Sequence, residues 1–438
     1  MTLFLALLAT GALHVVLLAV APRHIRSVSV GLTLLILSVI WTPSAPTEWR
    51  EVAVWSSVTL ITLASFAKRD RENTQPNTPL IVAILTFIAL WVLVTAVANP
   101  SGLSSVARIA VLAAVVAVVA WQMDRSERRA SLNWLVAVAV VQLVAGAWQW
   151  AFGRPPLWGF GLREDGTAAT YINPLLDGFV RVQGTTGHPI PYSTLIALAT
   201  MTIIATWATR RRFGAWLLLA MFAVALLASG TRSVLIALAI AFAYFFLIAR
   251  GTDPAKKVRN YVLAVIIAVV AIAADLGLRT AAQDLVASGS FTNRAGALES
   301  IPRLLGRPLA TVIFGSGFGS ESDLFARGLL QQNGFNVVDN QVVTTLATQG
   351  VIGVALLIII FALAFRDNDA VGRSLIIILA VMLFSFDYLR WPLMTVATML
   401  ILGMPAHRRS AGGINAEDAG RPRPDQFAQT SANRRHLP

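Results

Sequence analysis

Cysteine is absent from the 438 residues. That excludes disulfides, thiol nucleophiles and cysteine-ligated metals. Charge is also scarce: Asp, Glu, Lys and Arg make up 13% of the chain, against roughly a quarter in an ordinary soluble domain. The lysines are only Lys68, Lys256 and Lys257. No HExxH, Walker A, GxSxG or protein-kinase signature occurs, which removes the chemistries those motifs carry. No acidic cluster reads as a magnesium site, and no metal or other cofactor is expected. An inverted repeat of interrupted apolar segments is missing too, which argues against an ordinary secondary transporter. No stretch is both long and polar enough to fold separately, so residues 1–405 are expected to form one membrane domain.

What the chain has instead is apolar length. Hydrophobic residues make up 56% of it, and the mean hydropathy is +0.69. Apolar segments fall near 2–21, 27–42, 51–66, 79–98, 105–122, 131–152, 190–208, 213–229, 233–249, 261–278, 341–364, 375–389 and 391–405. Most approach the roughly 17–25 residues that cross a bilayer as a helix. The expectation is an all-α, polytopic transmembrane bundle of 12–13 spans. The first segment lacks a basic n-region and a small-residue cleavage site, so it reads as a span rather than a removable signal.

The net charge of +13 would suggest nucleic acid in a soluble protein, but here its distribution points to topology. Cations cluster in alternate connections: Arg23 and Arg26, Lys68 to Arg71, Arg125 to Arg129, Arg210 to Arg212, Arg250 to Arg259, Arg366 with Arg373, and Arg408 with Arg409. The positive-inside rule makes those connections cytoplasmic. The N-terminus is then outside and the C-terminus inside. The Gly-, Arg- and Pro-rich stretch at 406–438 reads as a disordered cytoplasmic tail,. All three lysines fall on the inner side, and every outer cation is arginine, whose fork grips phosphate oxygens in pairs. An arginine-biased composition explains the same asymmetry.

Two outer connections are long, 153–189 and 279–340. A polar connection the length of the second is seldom mere linkage, and it is where a site is expected. Three constellations stand out. Arg181-Val-Gln-Gly184-Thr-Thr-Gly187-His188-Pro189 sets Arg181 and His188 in a tight turn at the membrane surface,. Ser229-Gly-Thr-Arg232-Ser233 joins two apolar segments with almost no loop. It pins Arg232 at the outer interface, where it meets either an anion or the headgroups. The long loop holds Phe291-Thr-Asn-Arg294, read as a helix start capped by Thr292 or Asn293, with 295–305 lying on the membrane,. It also holds the turn Phe314-Gly-Ser-Gly-Phe-Gly-Ser320, whose Gly315 and Gly317 amides are candidates for a phosphate cradle,. Asp339-Asn340 opens the next span, so Asp339 is either a base or a helix cap. Asp387 and Arg390 read as a local pair, and Asp275 is a minor candidate.

In this order the motifs resemble the O-antigen ligase and polymerase superfamily of bacterial surface-glycan assembly, over about residues 175–405. The run is Arg181-x-x-Gly184-x-x-Gly187-x-Pro189, Ser229-Gly-x-Arg232-Ser233, Asn293-Arg294, the Gly315/Gly317/Gly319 turn, Asp339-Asn340 and Gly350-Val-Ile-Gly353. The resemblance implies a GT-C-type membrane glycosyltransferase. Its donor would be a polyprenyl-diphosphate-linked oligosaccharide, its acceptor a glycan or lipid-glycan, and its setting the outer face of the cytoplasmic membrane among lipids, with no nucleic acid. It implies that Arg232 and Arg294 hold the diphosphate with Arg181 in support, with Asp339 beside the acceptor hydroxyl and His188 and Asn340 contacting substrate. Ligases of the family carry His where this chain has Asp339, which tilts the expectation towards a polymerase. A flippase of lipid-linked glycans is the alternative from another class. It would carry ionisable residues through the depth of its spans, whereas here only His14 lies deep in one.

Overall fold

The structure, a computed structural model, describes residues 2–21, 24–67, 78–161, 168, 170–176, 178–206, 213–249, 289–332 and 336–404. The expected span at 261–278, Asp275, the basic clusters at 68–71, 210–212 and 250–259, and the tail from 406 lie outside the described residues.

Apart from 383–387, where the segment expected at 375–389 leaves the helix, the expected apolar segments within the described residues are helices. They are α1 (Thr2–Val20), α2 (Ile25–Ile40), α3 (Thr47–Ser65), α4 (Thr78–Ala98), α5 (Leu103–Gln122), α6 (Arg125–Phe152), α7 (Pro189–Thr206), α8 (Phe213–Ser229) and α9 (Arg232–Ala243). The long loop folds into short helices: α10 (Gly289–Glu299), α11 (Ile301–Leu305), α12 (Leu309–Phe314) and α13 (Glu321–Ala326). Then come α14 (Gln341–Asp367), α15 (Ala370–Met382) and α16 (Pro392–Gly403). Among the described residues there is no strand, only a single bridge between Ile172 and Val180. Five helices are long and apolar enough to cross a membrane by length and composition: α4, α5 with the short turn before it, α6, α7 and α14.

Two helices form the centre. In α7 every residue from Pro189 to Ile203 is buried, and in α16 the whole helix is. Around them α6 and α8 pack on α7, α5 packs on α16, and α4 packs on α14. Outward faces are apolar instead of polar: Leu93, Val144, Trp216 and Ile358 are each more than half exposed. In water such a surface would aggregate, whereas lipid accepts it. Some of the hydroxyls inside are satisfied within their own helices, Thr194 and Thr200 each donating to the carbonyl four residues back at 2.8 Å,, whereas those of Ser29, Thr33 and Ser57 are buried without a partner among the described residues. The fold is that of a helical membrane protein.

One helix is broken. At Gly350, φ is 68° and ψ is −165° inside α14, a backbone state that side chains disfavour. The break frees carbonyls of the preceding turn, and those of Leu346, Ala347 and Thr348 find donors. Arg307 gives Nη2 to Leu346 O at 3.0 Å and Nη1 to Ala347 O at 3.1 Å. Ser316 N reaches Ala347 O and Gly317 N reaches Thr348 O, both at 2.9 Å. The glycine-rich turn uses its amides in packing, which leaves neither candidate amide free for a phosphate: Gly315 N reaches Thr311 O at 2.8 Å, Gly317 N is taken by Thr348 O, and Phe318 N by Thr95 Oγ1 at 3.0 Å. A Cβ on Gly315 would stand 2.3 Å from the Thr348 carbonyl carbon, which is why glycine is needed there.

Polar contacts tie the helix ends together on both sides of the bundle. At one end Arg26 pairs with Glu127 at 3.3 Å and Arg128 with Asp369 at 2.7 Å. At the other, Arg108 pairs with Glu51, and Asn99 Nδ2 donates to Phe318 O at 2.7 Å.

Candidate functional site

Two glutamines on α6 hold the first part of the site. Gln149 Oε1 accepts from Gln183 N and Gly184 N at 3.0 and 3.1 Å, and Gln142 Oε1 accepts from Thr185 N at 3.0 Å. Straps of this kind fix the loop that presents Arg181 and His188 to the α8–α9 turn. Arg181 donates from Nε to Ser229 O at 2.7 Å and from Nη2 to Thr231 Oγ1 at 2.8 Å. Its guanidinium lies 5.9 Å from the centre of the Tyr171 ring. Burial lowers its pKa to about 10, so it remains a cation at neutral pH,.

His188 is ringed by Tyr171, Phe386 and Trp391, with centroids 5.2 to 5.8 Å away. Its Nδ1 accepts from Ile190 N at 3.2 Å, which places the proton of the neutral ring on Nε2. Burial, helped by Arg181 and Arg294, lowers its pKa to about 3. His188 is thus a neutral donor and no base.

The long loop supplies the other half. Asn293 is not a cap, because α10 already begins at Gly289. Its Nδ2 instead donates to Asp339 Oδ2 at 2.8 Å, and its Oδ1 accepts from Gln331 Nε2 at 2.9 Å. Nor does Asp339 cap α14; Asn340 does, accepting from Val343 N at 3.1 Å. That role occupies Asn340 Oδ1, while its Nδ2 is buried without a partner. Burial raises the Asp339 pKa, while Arg294 foremost, then Asn293 and Arg181, pull it back.

Arg294 has no hydrogen bond or ion pair among the described residues, and its Nε is buried without a partner. Burial lowers its pKa, and Asp339 opposes that. Arg181, His188, Arg294 and Asp339 form one electrostatic cluster in which the cations outnumber the carboxylate. Arg232, beside Thr231, turns Nη2 to Pro174 O at 3.1 Å and keeps Nη1 buried and unpartnered. An enclosed guanidinium nitrogen is costly to leave without an acceptor, and an anion would supply one. Elsewhere arginines meet carboxylates or carbonyls, as Arg390 does Glu321 at 3.3 Å and Asp387 at 3.6 Å, and Arg373 does Phe365 O at 2.8 Å.

An apolar cavity of about 190 Å³ lies beside this cluster. It is formed by α6, α7 and α8 and lined among others by Gly146, Val182, Tyr192, Val224 and Ala228. The arrangement can seat an anionic head on guanidinium groups with an apolar tail alongside.

The one acidic pair of Asp-x-Asp spacing, Asp367-Asn368-Asp369, was passed over in reading the sequence. It sits at the far end of α14 and is committed there. Asp369 caps α15 through Gly372 N at 2.8 Å and takes Arg128, and Asp367 pairs with Arg366. Sequence reasoning also missed Gln142, Gln149, Gln331 and Arg307. For the α6 pair a signal exists, since polar residues seven apart in an apolar helix share a face.

The fold and cluster define a class: a helical membrane protein with a half-buried cluster of arginines as its candidate site. Comparison with known families returns no matching family model, and no curated protein matches the chain.

Proposed function

We propose that this protein is a GT-C-type glycosyltransferase on the outer face of a bacterial cytoplasmic membrane, polymerising or ligating surface polysaccharide from a polyprenyl-diphosphate-linked donor. The observation that carries the reading is Arg294, a half-buried guanidinium with an enclosed, unpartnered Nε that shares its surroundings with Arg181 and a single carboxylate, Asp339.

In this scheme the donor's diphosphate lies against Arg181, Arg294 and Arg232, and the apolar cavity below Ala228 takes the start of the prenyl chain. An acceptor hydroxyl attacks the anomeric carbon. The bond from that carbon to the diphosphate oxygen breaks, and the lipid diphosphate leaves with the electron pair. The arginines stabilise the charge that builds on it, a contribution of the kind that dominates many enzymes. The hydroxyl proton passes to Asp339, whose raised pKa makes it a stronger base than a surface carboxylate,. Direct attack inverts the anomeric centre. His188 Nε2–H offers a neutral hydrogen bond. The N-terminus lies outside and the tail inside, as the basic connections require.

Purified protein in detergent, given polyprenyl-diphosphate oligosaccharide with EDTA present, is expected to release lipid diphosphate and build longer glycans. Arg294→Ala and Arg232→Ala should lower the rate roughly 100- to 1,000-fold each, and Asp339→Ala should lower it as well. If wild type binds the donor without consuming it, and vesicles holding the protein move that lipid across the bilayer, the protein is a flippase instead.

A further inference from the structure

A second cavity, of about 770 Å³, opens beside Gln331, between α13 and the turn at Tyr388–Arg390. That lies within the roughly 300–1,000 Å³ of small-molecule sites. Its walls include Glu321, Phe325, Gln331, Gln332, Asn336 and Arg390. We infer that this cavity binds a neutral sugar, the acceptor end of the proposed transfer reaction; the assignment to the acceptor rests on that reading.

Three observations point to this ligand. The first is an unsatisfied acceptor. Gln331 is 2% exposed, and both of its described hydrogen bonds leave from Nε2, to Asn293 Oδ1 and Val337 O, while Oε1 is buried without a partner. A buried amide oxygen calls for a donor, and a sugar hydroxyl is one. The second is charge. Arg390 is already held by Glu321 and Asp387, so the cavity has no spare cation, and an anion would meet the Glu321 carboxylate. This contrasts with the Arg181–Arg294 side, where the cations exceed the carboxylate. The third is surface type. Planar amides with a phenyl ring, Phe325, suit a ligand that has hydroxyls on its rim and C–H groups on its faces. The hydrogen-bonded run Gln331–Asn293–Asp339 leads from the cavity wall to the proposed base. Anionic leaving group and neutral nucleophile thus have separate sides, with Asp339 between them.

The absence of cysteine makes the test clean. Ala326 is exposed on the cavity wall, so Ala326→Cys places one thiol in the full-length protein. Its alkylation rate in detergent is measured with a panel of neutral hexose and N-acetylhexosamine tetrasaccharides at millimolar concentration, and with inorganic diphosphate. At least one neutral sugar should slow alkylation, and diphosphate should not. Adding Gln331→Leu should weaken that protection about tenfold, the effect of losing one buried hydrogen bond. Gln332→Ala on the exposed rim serves as the second variant if Gln331→Leu does not fold, and should weaken protection too. Protection by diphosphate alone, by none of the sugars, or undiminished in the folded variants would overturn the assignment. The outcomes separate from those of the transfer assay. Sugar protection without transfer keeps the cavity and removes the enzyme; transfer with neither protection nor a raised acceptor KM in Gln332→Ala does the reverse.

Discussion

Arg294 and Asp339 are coupled, and the coupling has a direction. Burial pushes the Asp339 carboxyl up, and Arg294 is the foremost group holding it down. In Arg294→Met the donor loses a cation, so transfer should fall by roughly 100- to 1,000-fold. Asp339 also loses its restraint, so the acid limb of kcat/KM against pH should move to higher pH. An unmoved limb would take Asp339 out of the role of base. His188, with a pKa near 3, should add no limb of its own between pH 5 and 8. Asp387 tests the site through stability. Its pKa rises from an ordinary 3.8 to about 7, first through burial and then through Glu321 and Asp339. Between those values the folded chain keeps a proton that the unfolded chain has lost. Stability should therefore fall as pH rises across that window, with the loss complete above about 7,. Asp387→Asn cannot ionise, so its thermal midpoint in detergent should change less between pH 5 and 8 than that of wild type. At this scale the sequence located the charged residues but not their duties. Asp339 and Asn340 are neighbours that each suit a helix cap, and only the turn of the backbone gives that work to Asn340 and leaves the carboxylate to Asn293.

Among the elements, α14 and the glycine turn form one unit. A spacing of glycines is compatible with a phosphate cradle or with close packing, and which it is depends on a partner some thirty residues further on. That partner is the break at Gly350, where the Thr- and Gln-bearing run 341–349 gives way to the apolar run from Val351 with no proline to mark a break. The two uses differ in their consequences. A cradle glycine replaced by alanine would alter donor KM and leave the fold alone. Gly315→Ala drives a Cβ into the backbone of Thr348 and should lower the thermal midpoint of the protein whether or not donor is present. Arg307→Met removes every side-chain donor from Leu346 O and Ala347 O. Leaving one or two buried carbonyls short of partners should destabilise by roughly 2–5 kcal/mol. Gly11 lies in α1 with nothing within 4 Å of an added Cβ, so Gly11→Ala should be neutral or stabilising by up to about 1 kcal/mol. Chemical denaturation of the three variants in one detergent should give that order.

For the whole molecule, the apolar segments were readable because a bilayer demands length and greasiness whatever the packing. Their grouping was readable only through charge, since any arrangement that keeps the basic connections together satisfies the rule. The contacts between helix ends add what the rule lacks. Ser101 precedes α5 beside Asn99, which is bonded to Phe318, and Ser322 lies on α13 in the same region. Ser126 opens α6 at the end where Arg26, Glu127, Arg128 and Asp369 meet. All three serines are exposed, and the protein has no cysteine to interfere. Ser101→Cys and Ser322→Cys should therefore react with a membrane-impermeant maleimide applied to intact cells stripped of their outer barrier. Ser126→Cys should react only after the membrane is opened. Reaction of all but Ser126→Cys would support an outward site. The reverse pattern would keep the fold and place the site at the cytoplasmic face, where a flipped lipid-linked donor is not presented. Labelling of Ser101→Cys and Ser322→Cys from opposite sides would contradict the bond between Asn99 and Phe318, and with it the packing on which the arginine cluster depends.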